Sequence, residues 1–166
     1  MVHELPADDH AVVMMTVPAS IEDCFNVAVD VESYPEWLKG IDAVEVQKTD
    51  DVGRALRARF VAGGLGRSTE YVLAYDLDEA PNRFGWTMVE GDLTSRLEGA
   101  YRFEGNPEGG TDVTYELIVE MSVPLPGFVK RRAEDKILEA AMRGLADRIL
   151  AGTGNELIQA PKLHRG

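Results

Sequence analysis

The chain has 166 residues, 45% of them hydrophobic and 28% charged, the size and balance of one compact globular domain rather than of a disordered segment. Its 29 acidic and 17 basic residues leave a formal net charge of −12, which repels a nucleic-acid backbone and an anionic membrane surface except where basic residues cluster. The one cysteine, Cys24, excludes an internal disulfide and a cysteine-based zinc cage, and no apolar run approaches the roughly 18–20 residues of a membrane span.

The first ten residues have neither the basic nor the apolar region of a secretory signal, so a reducing, cytoplasmic location is the expectation. Residues 1–8 read as a loose extension. Residues 152–166 carry Gly152, Gly154, Asn155 and Pro161 and read as a tail beyond the last helix. Residues 9–151 contain no repeat or linker-like stretch and are expected to form a single domain.

Ala11 to Val17 is β-rich and predicts a first strand, ended by Pro18. Ser20, followed by Glu22 and Asp23, predicts a helix N-terminus, with Ile21, Phe25 and Ala28 or Val29 on one face. A second short helical piece follows between Asp30 and Gly40, with Pro35 in its first turn behind Ser33 as cap.

From Ile41 the hydrophobic period changes to two. Leu56, Ala58 and Phe60 alternate with Ala55, Arg57 and Arg59, and Tyr71, Leu73, Tyr75 and Leu77 alternate with polar or small residues. The same holds for Phe84, Trp86 and Met88, for Leu97, Gly99, Tyr101 and Phe103, and for Val113, Tyr115, Leu117, Val119 and Met121. Turns are expected at Asp50–Gly53, Gly63–Gly66, Ala80–Asn82, Glu90–Asp92 and Gly105–Gly110, giving a meander of about six strands with one apolar face. Pro124 and Pro126 close it. A helix from about Gly127 to Ala151 follows, roughly 36 Å long, with Phe128, Leu138, Ala141, Met142, Leu145, Ile149 and Leu150 as its stripe and Gly152 as its C-cap. Only helices are available to cover the apolar face of such a sheet, and the space between them either holds a ligand or is filled by side chains.

This order resembles the START-like (SRPBCC) superfamily. Val17-Pro18-Ala19-Ser20 enters the first helix, Tyr34-Pro35-Glu36-Trp37-Leu38 closes the second, and Gly110-Thr111-Asp112-Val113-Thr114-Tyr115-Glu116-Leu117 opens the last strand. Phe84-Gly85-Trp86 and Tyr101-Arg102-Phe103 add to the likeness, which is greatest to the polyketide cyclase/dehydrase and coenzyme Q-binding protein branch. It implies an α+β helix-grip (START/Bet v 1-like) fold. A curved antiparallel sheet of about seven strands would wrap around a long C-terminal helix, with two short helices after the first strand and a hydrophobic cavity inside. Carried over to this sequence, the cavity wall would be Phe60, Tyr71, Leu73, Trp86, Met88, Leu97, Tyr101, Tyr115 and Leu117 from the sheet. Leu138, Met142 and Leu145 from the long helix would face them, and Trp37 would close one end. The Gly63-Gly64-Leu65-Gly66 hairpin would border the mouth, where it could act as a gate.

The other features have plainer readings. Tyr71, Tyr75, Tyr101 and Tyr115 need hydroxyl partners if buried, either from the backbone, from water or from a ligand. Arg57, Arg59, Arg96 and Glu98 alternate against the apolar face and should point to solvent, leaving the sheet's inner face without an acid–base group. His3, His10 and His164 lie near the chain ends, so neither a metal site nor a catalytic triad is expected. Cys24 reads as a small buried residue. Lys130-Arg131-Arg132 reads as solvated surface, or as a contact for an anionic head group.

The functional expectation is a protein that binds or carries a hydrophobic small molecule (lipid-, polyketide- or quinone-like), with no cofactor, no nucleic-acid partner and no integral membrane association. Two alternatives stay open: a cofactor-independent polyketide cyclase or aromatase, and a module with a filled core that binds a protein partner through its surface.

Overall fold

A computed structural model describes residues 10–64, 67–123, 126–151 and 159–165. The chain runs β1 (His10–Val17), α1 (Ile21–Val29), one 3-10 turn (Val31–Ser33), α2 (Tyr34–Trp37), β2 (Ile41–Thr49), β3 (Ala55–Gly64) and β4 (Arg67–Asp76). It continues through β5 (Arg83–Gly91), β6 (Thr94–Gly105), β7 (Thr111–Met121), α3 (Gly127–Leu150) and β8 (Gln159–Arg165). All strand pairs are antiparallel and form one sheet, ordered β2-β3-β4-β5-β6-β7-β1-β8. This is the helix-grip arrangement that the resemblance implies.

Alternation sorts the side chains onto two faces. Ala58, Phe60, Leu73, Phe84, Trp86, Tyr101, Phe103, Val113, Tyr115, Leu117 and Val119 are buried on the inner face. The outer face carries ion pairs, including Arg59–Glu70 at 2.6 Å, Arg96–Glu98 at 2.8 Å and Arg102–Glu116 at 3.1 Å. Exposed pairs of this kind contribute roughly 0–1 kcal/mol each, so they mark the solvent side more than they hold the sheet together. Arg57, Arg59, Arg96 and Glu98 thus lie outside, as their period predicts. Leu56 is only half-buried, whereas Ala55 is buried beside the register shift between β2 and β3.

The helix signals hold in part. Ser20 caps α1, its Oγ accepting from the Asp23 amide at 3.1 Å, and Cys24, Phe25 and Ala28 form the buried face. Ser33 does not cap α2: its hydroxyl donates to Asp30 Oδ2 at 2.7 Å, and Pro35 alone marks the first turn. A polar knot fixes the junction of β1 and α1. Thr16 Oγ1 donates to Asp112 Oδ1 at 2.7 Å, and Thr111 Oγ1 donates to the Ala19 carbonyl at 2.7 Å. Asn106 Nδ2 adds a second donor to Asp112 Oδ1 at 2.8 Å.

In α3 the buried residues are Glu134, Leu138, Ala141, Met142, Leu145, Ala146 and Ile149. Phe128, expected on that stripe, is 72% exposed. It lies in the first turn, ahead of the buried stretch that begins at Glu134.

Residues 159–165 depart from the reading of this segment as a tail. They form β8 and pair with β1, with Val13 opposite Leu163. Pro161 hides the strand in the sequence, but at the edge of a sheet its missing N–H need not break a ladder. Residues 1–9, Leu65 and Gly66 of the hairpin, Pro124 and the Gly152 cap lie outside the described residues.

Gly99 governs how the inner wall packs. It pairs with Trp86 across β5 and β6, and a Cβ there would sit 2.6 Å from the indole Cζ2 and 2.6 Å from the Glu116 carbonyl oxygen. The second clash is with backbone and cannot be relieved by a rotamer. Gly99→Ala is expected to lower stability by about 1–3 kcal/mol and shift the Trp86 emission, read by denaturant titration followed by fluorescence.

Candidate functional site

Aromatic residues build the inner face. Eleven of the chain's twelve Phe, Tyr and Trp side chains fall into two ring networks, of four and seven residues, and Phe128 alone stays out of both. The smaller begins at Trp37, whose ring centroid lies 5.0 Å from that of Tyr34, and continues through Phe60 to Tyr71, stacked at 5.4 Å. The larger gathers Trp86, Tyr101 and Tyr115 within 5.5 Å of one another, centroid to centroid. Phe25 of α1 reaches between Phe84 and Phe103, and Tyr75 stacks on Phe84 at 4.7 Å. Such pairs add about 0.5–1.5 kcal/mol each beyond simple burial.

The structure brings all thirteen wall residues expected from the sequence into one hydrophobic cluster. Phe60, Leu73, Trp86, Tyr101, Tyr115, Leu117, Leu138, Met142 and Leu145 are buried in it, while Trp37, Tyr71, Met88 and Leu97 are partly buried against it. Trp37 is seated by a glycine of α3: a Cβ at Gly144 would come within 3.0 Å of its Cε3. The tight approach of α2 to α3 therefore depends on the missing side chain at Gly144.

Two residues enter this face that sequence reasoning did not place there. Tyr34 is buried, packs between Trp37 and Phe60, and donates its hydroxyl to the Ala28 carbonyl. With it, every tyrosine of the chain belongs to the cluster. Glu134 is 2% exposed, the one charged side chain among the buried described residues. A signal for it existed, since it lies one turn before Leu138 and on the same stripe.

The interior is poor in polar partners. Among the described residues the hydroxyls of Tyr71, Tyr75, Tyr101 and Tyr115 make no hydrogen bond. Burial raises the ionisation of all five tyrosines above the ordinary value of 10.0, and neighbouring tyrosines add to the effect at Tyr34, Tyr75, Tyr101 and Tyr115. They face the interior as neutral phenols, able both to donate and to accept. Burial also pushes the Cys24 thiol up to about 11, as expected of an inert core residue. No three His, Cys, Asp or Glu side chains are grouped to hold a metal ion among the described residues, and no helix there is long and apolar enough to cross a membrane.

The family model for polyketide cyclase / dehydrase and lipid transport matches residues 9–154. Among solved structures, a START superfamily protein from Mycobacterium smegmatis superposes with a TM-score of 0.77 at 22% identity, covering 86% of this chain and 98% of that one. A protein from Thermus thermophilus gives 0.72 at 27% identity, over 87% and 99% of the two chains. The Zhui aromatase/cyclase from a Streptomyces species gives 0.71 at 16% identity, over 89% and 98%. Among curated proteins none matches the sequence significantly.

The raised tyrosine and thiol ionisations fix the sign of an alkaline dependence. Above the ordinary value the unfolded chain releases protons that the folded chain retains, so stability is complete below pH 10.0 for the tyrosines and falls as pH rises beyond it. Tyrosinate absorbance should therefore appear together with loss of near-ultraviolet dichroism, rather than titrating ahead of it. Cys24 should resist a disulfide reagent at pH 8 until denaturant is added.

Proposed function

We propose that this chain, which belongs to the polyketide cyclase / dehydrase and lipid transport family, binds an apolar, ring-containing small molecule between the inner face of its sheet and α3. The observation that carries the reading is the pairing of an aromatic wall with four buried or half-buried tyrosine side chains whose hydroxyls have no hydrogen-bond partner among the described residues. Each such hydroxyl can donate to a ligand's carbonyl or hydroxyl group and accept from a ligand's hydroxyl. Flat rings would stack on Trp86 and Tyr101, and Met88 and Met142 would adjust to their outline.

Trp37, Phe60, Tyr71, Leu73, Trp86, Met88, Leu97, Tyr101, Tyr115 and Leu117 are the wall we assign to the ligand, with Leu138, Met142 and Leu145 opposite. Binding or transport leads over chemistry because the sheet contributes neutral groups alone to that wall. Glu134 favours a second reading, a cofactor-independent cyclase or dehydrase, since a buried acid could move a proton on a bound polyketide. The Streptomyces aromatase/cyclase shares the fold, which by itself does not select between the two.

Native mass spectrometry of protein purified gently from its own host is expected to retain a near-stoichiometric apolar small molecule. Met142→Trp, which fills the space beside α3, should lose it while remaining folded. An empty protein that also takes up no quinone, polyketide or lipid would overturn the proposal. Tyr115→Phe and Tyr101→Phe keep the wall's shape. Each should weaken ligand binding by about 1 kcal/mol in titration calorimetry without lowering the stability of the empty protein.

A further inference from the structure

We infer that Trp37 is a gate: its indole covers the end of the interior beside β2, and a ligand passes when that ring turns off its seat on α3. The inference deepens the ligand-binding reading and rests on it.

Three observations lead there. The first is position. α3 packs against β1 and β7, and α1 against β5 and β6, while the 3-10 turn and α2 pack against β2. The wall residues of β3 and β4 therefore meet their cover through α2. Tyr34 reaches Phe60 at 6.2 Å between ring centroids, and Phe60 stacks on Tyr71. Trp37 lies on the other side of Tyr34, edge-on at 5.0 Å, and is half-buried where Tyr34 is buried. It is the last ring of this line before solvent.

The second observation is that the backbone around Trp37 is tied down and its ring is not. The Tyr34 hydroxyl donates to the Ala28 carbonyl, the Leu38 amide donates to the Tyr34 carbonyl at 2.7 Å, and the Gly63 amide donates to the Gly40 carbonyl at 2.8 Å. The indole N–H of Trp37 makes no hydrogen bond with a described residue. The third is the seat. A Cβ at Gly144 would lie 3.0 Å from Cε3 and 3.2 Å from Cζ3 of the indole, so the ring rests against bare helix backbone. The ion pair that joins α2 to α3, Arg148–Glu36 at 3.6 Å, is exposed, and such pairs hold weakly.

A half-exposed side chain held by contact alone changes rotamer without unfolding its surroundings. Turning the indole away would part α2 from α3 at the point where Gly144 lets them touch, ahead of Phe60 and Tyr71. Such a step leaves a kinetic mark. Binding that waits for a conformational change has a lowered association rate, whereas losing a wall contact acts chiefly on dissociation.

The test is stopped-flow binding of the uncharged fluorescent probe N-phenyl-1-naphthylamine to the full chain. Trp37→Ala removes the gate and should raise the association rate constant at least five-fold. Leu97→Ala, a wall substitution on β6, should speed dissociation and leave association within two-fold. Gly144→Ala keeps the indole but takes its seat, and should raise association at least three-fold; it decides the matter if Trp37→Ala does not fold. An association rate unchanged in folded Trp37→Ala would overturn the inference and place the entrance elsewhere. An equal rise in Leu97→Ala would overturn it too, as a general loosening of the interior. In both cases binding of the probe leaves the ligand-binding reading standing. A wild-type protein that binds neither this probe nor any quinone, polyketide or lipid would overturn that reading and the inference together.

Discussion

A single sheet with one apolar face has to be covered, and the chain has one long helix with which to do it. The rest of the architecture follows from that constraint. β1 and β7 lie side by side, and α3 runs against them and against α1 and α2. α1 covers part of β5 and β6, and α2 closes the end beside β2. The buried stripe of α3 extends from Glu134 to Ile149. Its first turn contributes no buried side chain, and there Phe128 stands in solvent.

Close packing against this cover depends on small residues opposite large ones. Gly99 leaves room for Trp86, and Gly144 leaves room for Trp37. Both tryptophans of the chain are thus positioned by a glycine on a neighbouring element. The requirement in both cases is space rather than backbone freedom. The turn between β6 and β7 is different: Gly109 and Gly110 have φ of 104° and 85°, and glycine is needed there for its conformation.

The interior formed this way is aromatic, neutral and sparsely hydrogen-bonded, with one acid admitted from the helix. The outer surface carries Arg57, Arg59, Arg96 and Arg102 in ion pairs with acids. That separation suits recognition by shape, stacking and a few oriented hydroxyls. It also means that the chain's large negative charge describes the outer surface and says little about what the inside accepts. Many activities share this fold, so the chemistry of the inner wall is the more informative guide to function.

Alternation of period two was enough to assign the faces of the central strands, because a residue's side of a sheet follows from its parity once one neighbour is placed. The Ser20 cap, the strand turns and the outward arginines were legible for the same local reasons, and all thirteen expected wall residues come together in the folded chain. Phe128 was misplaced and Glu134 overlooked because helical period specifies a stripe but not where along a helix its cover begins and ends. Tyr34 could not be placed from a one-turn helix, which is too short to show a period. β8 was hidden because an edge strand depends on its neighbour β1 for pairing, and Pro161 masks the little pattern that it has. Sequence by itself therefore determined the order of elements from β1 to α3, which residues of the central strands share a face, and the aromatic character of the inner face, all of which are set by local spacing. Only the tertiary structure decided which polar groups enter that wall and which aromatic stays outside it, because burial is a property of what lies opposite.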